Sequence, residues 1–351
     1  MKTAADGAFT EATAAKANAP AAFITGLVGL SLTAAERRFL AEAQPWGLIL
    51  FARNVDRPEQ VAALVAEARS VLGREAPVLI DQEGGRVARL RPPHWLDWPP
   101  VRRTFEALGP SSAERALHLR FALIAAELRA LGIDVNCVPM LDVPQAGVHP
   151  IIGDRVLAET AEDIAALGAA VVSGLLEGGV LPVIKHLPGH GRALSDSHEA
   201  LPRVTASRAA LEAEDFAAFR PLSGEALGMT AHIVYDALDP ERCATHSPAC
   251  IRAIREDIGF QGLLMTDDLS MKALRGPMGA RACDALAAGC DIALHCNGDM
   301  VEMEAVAGAV PPLSGPALDR AHAAEHARPP APGFDAEAML ADYRALTGEM
   351  A

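Results

Sequence analysis

The chain has 351 residues and a mass of 36.8 kDa, with a formal net charge of -14 and a mean hydropathy of +0.17. Half of its residues are apolar, so a large core is available and disorder by composition is excluded. Binding to nucleic acid or to an anionic membrane surface needs clustered Lys and Arg, which this charge balance argues against. We therefore expect a monomeric globular protein that recognises a small molecule, with no nucleic-acid partner and no membrane.

The N-terminal segment is rich in alanine, and we expect residues 1–20 to form a mobile extension ahead of the folded domain. The following apolar stretch FITGLVGL resembles the core of a signal peptide but lacks a small-residue cleavage site, so we interpret it as the first strand. No run reaches the roughly 18 apolar residues of a membrane span. The six cysteines form no CxxC pair and predict reduced thiols in a cytoplasmic protein.

Short apolar runs alternate with longer segments of helical period, which is typical of βα units around a parallel sheet. Eight such runs predict an α/β fold, a single (β/α)8 TIM-type barrel over residues 21–351, rather than an open sheet. The predicted strands are Phe23–Leu27, Leu48–Phe51, Val78–Ile80, Val135–Leu141, Val180–Ile184, Met229–Val234, Leu263–Met265 and Ile292–Leu294.

Helix boundaries between these runs carry their own signals. Pro58, Thr160 and Ser247 predict helix starts, because proline suits the first turn and a hydroxyl caps the free N–H groups. Gly73, Gly132, Gly178 and Gly259 mark predicted helix ends, and we expect residues 336–347 to form a closing helix.

Polar side chains follow the apolar runs directly. In a barrel, the carboxyl ends of the strands meet at one face, where the chemistry of this architecture takes place. We therefore expect these residues to share a pocket: Asp81, Asp142, Lys185, His186, His232, Asp267 and Asn297.

The segment KHLPGHGRALSDSH, residues 185–198, concentrates chemically versatile side chains after the apolar run VLPVI. Asp196 lies two residues before His198. A neighbouring carboxylate favours the imidazolium and orients the ring, which makes His198 a candidate proton donor near neutral pH. Lys185 and His186 begin the same loop and offer donors for the hydroxyls or the amide of a neutral ligand.

Two further segments place carboxylates at strand ends. Asp267 follows LLMT, where a rigidly held carboxylate can act as a nucleophile or bind a metal. The adjacent Asp268 suits the N-cap of a helix that begins with LSMKAL. In DQEGGRVARL, residues 81–90, Asp81 can accept hydrogen bonds from two vicinal hydroxyls, and the glycines permit close approach of a ring. The segment lacks GxGxxG and is not a dinucleotide motif.

Taken together, DQEGGRVARL, IIGDR, KHLPGHG followed by DSH, and MTDDLSM resemble glycoside hydrolase family 3 in its β-N-acetylhexosaminidase branch. The resemblance covers about Ile24 to Asn297. It implies a TIM barrel that removes terminal β-linked N-acetylglucosamine with retention of configuration and without a cofactor or a metal. It also implies that Asp267 is the nucleophile and that His198 is the acid/base, with Asp196 as its partner. The implied sugar-binding residues are Asp81, Arg89, Arg155, Lys185 and His186.

In the implied mechanism, Asp267 attacks the anomeric carbon while His198 protonates the leaving oxygen, and water activated by His198 then releases the sugar. The Gly-rich loop is expected to close His198 over the substrate. The implied setting is the cytoplasm, with N-acetylglucosaminyl-1,6-anhydromuramyl peptides from peptidoglycan recycling as substrate. GDRVLAET and Leu187 depart from the family pattern, which affects the expected shape of the subsites rather than the reaction.

The residues alone leave other functions open. A β-N-acetylglucosaminide phosphorylase would use phosphate in place of water, since a histidine acid/base does not repel an incoming anion. A metal-dependent barrel hydrolase would use His186, His190 and His198. A catalytically silent sugar-binding protein would keep the pocket without turnover. A β-glucosidase is disfavoured, because relatives with that activity usually carry a second domain and this chain has little length left after the barrel.

Overall fold

A computed structural model describes residues 19–145, 153–193 and 201–348 of the chain. Nearly all of the predicted N-terminal extension, residues 1–18, lies outside these ranges, as do Asp196 and His198. Within the described residues, no helix has the length and the apolar character needed to cross a bilayer.

Each of the eight predicted strands has a counterpart among the twelve strands of the described residues. The strands are β1 (Ala21–Gly26), β2 (Pro45–Leu50), β3 (Val78–Ile80), β4 (Val135–Asn136), β5 (Leu181–Pro182), β6 (Ile184–Leu187), β7 (Arg203–Val204), β8 (Leu227–Thr230), β9 (Val234–Tyr235), β10 (Asp239–Cys243), β11 (Leu263–Asp268) and β12 (Ile292–His295).

The α-helices are α1 (Ala34–Ala43), α2 (Pro58–Leu72), α3 (Val101–Leu108), α4 (Pro110–Ala130), α5 (Ala161–Glu177), α6 (Arg208–Ala210), α7 (Phe216–Phe219), α8 (Pro248–Arg252), α9 (Met278–Ala288), α10 (Met300–Ala307), α11 (Gly315–His326) and α12 (Ala336–Thr347). Short 3-10 segments are Ala52–Asn54, Gly153–Arg155, Arg220–Leu222 and Ala244–His246, and π-helical segments are Leu211–Asp215 and Ala253–Ile258.

The main sheet of the described residues closes into a parallel barrel. Its strand order is β5-β4-β3-β2-β1-β12-β11-β8-β6. Because β5 and β6 are separated only by Val183, they form one barrel position, with β5 paired to β4 and β6 paired to β8. The eight positions are those predicted, and the fold class is confirmed.

The core has two layers, set by the alternation of side chains along each strand. In β11, Leu263 and Met265 point into the barrel, whereas Leu264 joins the layer between the sheet and the helices. In β12, Ile292 packs inside the barrel and Ala293 packs outside it. Burying each large side chain in this way stabilises the fold by about 1.5–3 kcal/mol.

The helix starts predicted at Thr160 and Ser247 and the helix end predicted at Gly73 are confirmed. The side chain of Thr160 accepts a hydrogen bond from the main chain of Asp163, and the side chain of Ser247 caps α8 in the same way. Gly73 follows α2 in the left-handed conformation, with φ of 67°. The helix expected over residues 336–347 is α12.

Two local predictions were wrong. The fourth strand ends at Asn136 rather than at Leu141, and Pro139 in the remainder has no N–H to donate to a ladder. The segment after Asp268 is a series of turns rather than a helix, and the next α-helix begins at Met278. A small second sheet, with order β10-β9-β7, was not predicted, because its strands are two to five residues long and lack a clear apolar alternation.

Candidate active site

A cavity of about 260 Å³ lies at the carboxyl ends of the barrel strands. Its floor is apolar and includes Ile49, Met229 and Leu294, which come from three different strands. Its polar lining contains Asp81, Arg89, Arg155, Lys185, His186, Asp267 and Asp268. Of the residues expected to converge from the strand ends, Asp81, Lys185, His186 and Asp267 line this cavity.

Lys185 occupies the centre of a buried charge network. Its Nζ lies 2.7 Å from Glu83 Oε1 and 3.2 Å from Asp81 Oδ1, and its side chain is only 2% exposed. Burial alone would lower the pKa of Lys185, but the two carboxylates raise it above its ordinary value, so the ammonium is held charged.

Arg155 completes this network through a two-point ion pair with Glu83. The distances are 2.8 Å for Nε to Oε2 and 2.7 Å for Nη2 to Oε1. Burial favours protonation of Glu83, but Arg155 and Lys185 outweigh it and hold the pKa of this carboxyl well below its usual range. Glu83 therefore stays ionised and holds two cations in place.

Glu83 was not singled out from the sequence, although it lies in the EGGR turn. The signal was weak because a carboxylate before two glycines is more often part of an exposed turn. Here Glu83 is buried, and its carboxylate pairs with Arg155 and Lys185.

Arg89 links the network to the second strand. Its Nη2 donates to Asp81 Oδ2 at 3.0 Å, and its guanidinium lies 5.0 Å from the centre of the Phe51 ring. Burial would raise the pKa of Asp81, but Lys185 and Arg89 lower it below its ordinary value. The guanidinium of Arg53 also packs on Phe51, 4.9 Å from the centre of the ring. Neither Arg53 nor Phe51 was predicted to belong to the site.

His186 and His190 both fold around the buried carboxylate of Asp142. His186 Nδ1 lies 2.7 Å from Asp142 Oδ2, and the main-chain N–H groups of His186 and His190 donate to Oδ1. Burial, with a smaller contribution from His186, lowers the pKa of His190 to about 4, so that ring is neutral at pH 7. Asp142 thus fixes the start of the predicted active-site loop.

The two adjacent carboxylates at the end of β11 have different environments. Asp268 Oδ1 accepts from the main-chain N–H groups of Ser270 and Cys296, at 2.9 and 3.1 Å, which ties β11 to β12. Asp267 lines the cavity and accepts the N–H of Asp268 at 2.8 Å. Both carboxylates line the cavity, and Asp268 in addition joins β11 to the residue after β12, which gives it a structural function.

His232, two residues after the end of β8, supports this strand end. Its Nε2 donates to the main-chain carbonyl of Asp268 at 3.0 Å, and its Nδ1 lies 2.7 Å from the Thr245 hydroxyl. Burial lowers the pKa of His232, so the neutral ring is favoured. It is not among the residues that line the cavity, and its contact with the Asp268 carbonyl positions the segment that carries Asp267.

The other predicted site residues are Asn297, the histidines of the metal hypothesis, and Asp196. Asn297 does not line the cavity; it accepts the N–H of Asp299 at 2.8 Å, beside the start of α10. Among the residues that the structure describes, no group of three or more His, Cys, Asp or Glu side chains has the arrangement of a metal site. His198, the third histidine of the metal hypothesis, lies outside those residues, as does Asp196.

Comparisons with known proteins agree on one family. The β-hexosaminidase of Alkalilimnicola ehrlichii is 40% identical over 280 residues, which is 78% of this chain and 79% of that protein. The crystal structure of native NagZ from Neisseria gonorrhoeae superposes with a TM-score of 0.82 at 31% identity, covering 95% of this chain and 98% of the other. The same relative in complex with N-trifluoroacetyl-D-glucosamine gives a TM-score of 0.82 at 31% identity, with 94% and 96% covered.

The barrel, its cavity lined with carboxylates and these similarities identify the protein as a glycosidase. The family model "Glycosyl hydrolase family 3 N terminal domain" matches residues 22–326, and the chain belongs to glycosyl hydrolase family 3.

Proposed function

We propose that this glycosidase is a retaining exo-β-N-acetylglucosaminidase, which releases terminal β-linked N-acetylglucosamine through a glycosyl ester on Asp267. The observation that carries the proposal is the difference between the two carboxylates at the end of β11, both of which line the cavity. Asp268 accepts hydrogen bonds from the N–H and the hydroxyl of Ser270 and from the N–H of Cys296, whereas Asp267 accepts the N–H of Asp268. A carboxylate held in this way can attack the anomeric carbon.

The choice of sugar is supported by the cavity and by the relatives. A volume of about 260 Å³ is at the low end for ligand pockets, which suits one terminal sugar rather than a long chain. Relatives are named β-hexosaminidase, and one of them binds an N-acylated glucosamine.

The charged network would bind the sugar hydroxyls. The ionised Asp81 offers acceptors, while Lys185, Arg155 and Arg89 offer donors that are already oriented by their carboxylate partners. His186, held by Asp142 through its Nδ1, lines the same cavity. Preorganised groups of this kind lose little entropy when a ligand binds.

The proposed reaction has two steps. Asp267 forms a bond to the anomeric carbon as the bond to the leaving oxygen breaks, and His198 gives its proton to that oxygen. Water then attacks the glycosyl ester while His198 takes its proton, which regenerates both groups. Asp196 would orient His198; both roles come from the motif resemblance. A histidine acid/base departs from the usual pair of carboxylates.

We further propose that the natural substrates are N-acetylglucosaminyl-1,6-anhydromuramyl peptides from peptidoglycan recycling, cleaved in the cytoplasm. The proposal is supported by the similarity to NagZ over nearly the whole of both chains. In such a substrate, the 1,6-anhydromuramyl peptide that leaves with the glycosidic oxygen would extend out of the cavity.

The test is turnover of p-nitrophenyl β-N-acetylglucosaminide and of the matching β-glucoside, in phosphate-free buffer with EDTA. Preference for the N-acetyl substrate supports the proposal. Turnover that requires added phosphate would indicate a phosphorylase, and turnover that requires metal would indicate a metallohydrolase. A 5-fluoro N-acetylglucosaminyl fluoride should label Asp267, which peptide mass spectrometry can locate; a label on another residue would contradict the assigned nucleophile.

A further inference from the structure

Arg120, in the middle of α4, is fully buried beneath the loop that carries Glu83. Its Nη2 donates to the main-chain carbonyl of Glu83 at 2.7 Å. Among the described residues, its Nε and Nη1 have no hydrogen-bond partner. A buried cation without a carboxylate partner is costly, so its presence in the interior calls for a reason beyond packing.

The surroundings of Arg120 hold it in one orientation. Its guanidinium lies 5.6 Å from the centre of the Trp98 ring and 5.3 Å from that of Phe121. Such contacts stabilise a cation that has lost its water. Burial lowers the pKa of Arg120 only to about 10, so the side chain is charged at neutral pH.

The loop is shaped to admit this side chain. Gly84 has a φ of 100°, which favours glycine, and a Cβ at this position would lie 1.9 Å from Arg120 Nη2. Gly85 N donates to the Trp98 carbonyl at 2.7 Å, which holds the other side of the turn. The guanidinium and the glycine turn therefore fit each other closely.

Glu83 connects this contact to the cavity. Its main chain is held by Arg120, and its carboxylate binds both Arg155 and Lys185, which line the cavity. A shift of the Glu83 main chain would move the carboxylate and release both cations from their present orientation.

We propose that Arg120 is a positioning residue for the glycosidase reaction: it fixes the main chain of Glu83 and thereby orients Lys185 and Arg155 towards the sugar. This inference rests on the proposed function of Lys185 and Arg155 as sugar ligands. It predicts an effect on substrate binding from a residue that does not touch the cavity.

The packing around Arg120 also includes α12, through Trp98. Trp98 packs edge to face against Tyr343 of α12, with ring centres 5.2 Å apart. Tyr343 is fully buried, although α12 lies beyond the residues matched by the family model. The helix thus covers the aromatic ring that flanks Arg120.

The experiment compares Arg120→Lys and Arg120→Met with Arg115→Met, which removes an exposed arginine from the same helix. Steady-state kinetics with p-nitrophenyl β-N-acetylglucosaminide are measured well below each thermal midpoint. We expect Arg120→Met to raise KM about tenfold with kcat changed less than about threefold, because roughly one charge-assisted hydrogen bond is lost. Arg120→Lys should give a smaller rise in KM, and Arg115→Met should give none.

A merely structural function gives a different pattern. Loss of folded enzyme lowers kcat per total protein and leaves KM unchanged, and this result for either variant would overturn the proposal. If Arg120→Met does not fold, Arg120→Lys alone decides, since it keeps the charge but not the planar fork.

Lys185→Met, measured in parallel, distinguishes a failure of the sugar-binding function proposed for Lys185 from a failure of the positioning function proposed for Arg120. An increase in KM for Lys185→Met without one for the Arg120 variants would reject the positioning function alone. No change in KM for Lys185→Met would reject the sugar-binding function of Lys185, and the inference about Arg120 would fall with it.

Discussion

Glu83 and Lys185 form a buried ion pair of 2.7 Å, which joins the loop after β3 to the strand β6. The pair is supplemented by the two-point contact between Glu83 and Arg155. A single carboxylate therefore holds two cations that come from distant parts of the chain. The predictions below concern this network and the strand end that faces it.

Glu83→Gln should be strongly destabilising. The substitution keeps the shape but replaces the carboxylate shared by Arg155 and Lys185 with a neutral amide, which leaves Asp81 as the carboxylate beside Lys185. Breaking a buried pair in this way costs about 3–5 kcal/mol. The free energy of unfolding from urea titration measures the effect, and kcat/KM should fall in parallel. Glu159→Gln is the control, because Glu159 pairs with Arg102 at a site where its own side chain is 72% exposed. It should change stability by less than about 1 kcal/mol; equal losses for both variants would contradict the prediction.

Asp267→Asn and Asp268→Asn should have opposite profiles. Asp267→Asn should lower kcat at least about a thousandfold and change the thermal midpoint less than Asp268→Asn does, because it removes the nucleophile while the amide oxygen can still accept the N–H of Asp268. Asp268→Asn should lower the midpoint, because a neutral amide accepts more weakly from the N–H groups of Ser270 and Cys296 and puts an NH2 group where Asp268 Oδ2 accepts the Ser270 hydroxyl. Kinetics and calorimetry on both variants check this. Full activity of Asp267→Asn would remove Asp267 as the nucleophile.

Much of the barrel and its site could be predicted from the sequence. Strand alternation is a local signal, and strands of a parallel barrel bring their carboxyl ends together, so Asp81, Lys185 and Asp267 could be placed in one pocket. Glu83 and Arg120 could not, because their contacts depend on how the glycine turn packs against α4. Asp268 was misassigned as a helix cap because Asx turns and helix starts share the same side-chain hydrogen bond.

His190 should make stability depend on pH. Its pKa is about 4 in the folded state and about 6.5 when unfolded. The unfolded chain therefore binds more protons between these values, and this contribution to stability is lost as the pH falls from about 7 towards 4. The buried Asp215, with its pKa raised to about 6, acts in the opposite sense, because its contribution is lost as the pH rises.

The measurement is the urea midpoint from pH 7.5 to pH 4.5 for the wild type and for His190→Gln. The difference between the two curves isolates His190, since Asp215 is present in both. We expect the wild type to lose more stability than the variant as the pH falls. Parallel curves would show that His190 does not titrate differently on folding.

Gly84→Ala tests the close approach of the loop to Arg120. A methyl group would lie 1.9 Å from Arg120 Nη2 and 2.8 Å from the Pro99 carbonyl, so both the loop and the guanidinium must shift. We expect a loss of about 2–4 kcal/mol in the free energy of unfolding, as for overpacked sites with unfavourable backbone angles. We also expect the rise in KM that Arg120→Met produces.

Gly73→Ala provides the matched control for that variant. Gly73 also has a positive φ, of 67°, but no atom lies within 4 Å of its added Cβ. It should lose about 1 kcal/mol from backbone strain alone and keep the wild-type KM. If Gly84→Ala also kept the wild-type KM, the loop would tolerate displacement without moving Lys185 and Arg155, and the path from Arg120 through Glu83 to the cavity would not be supported.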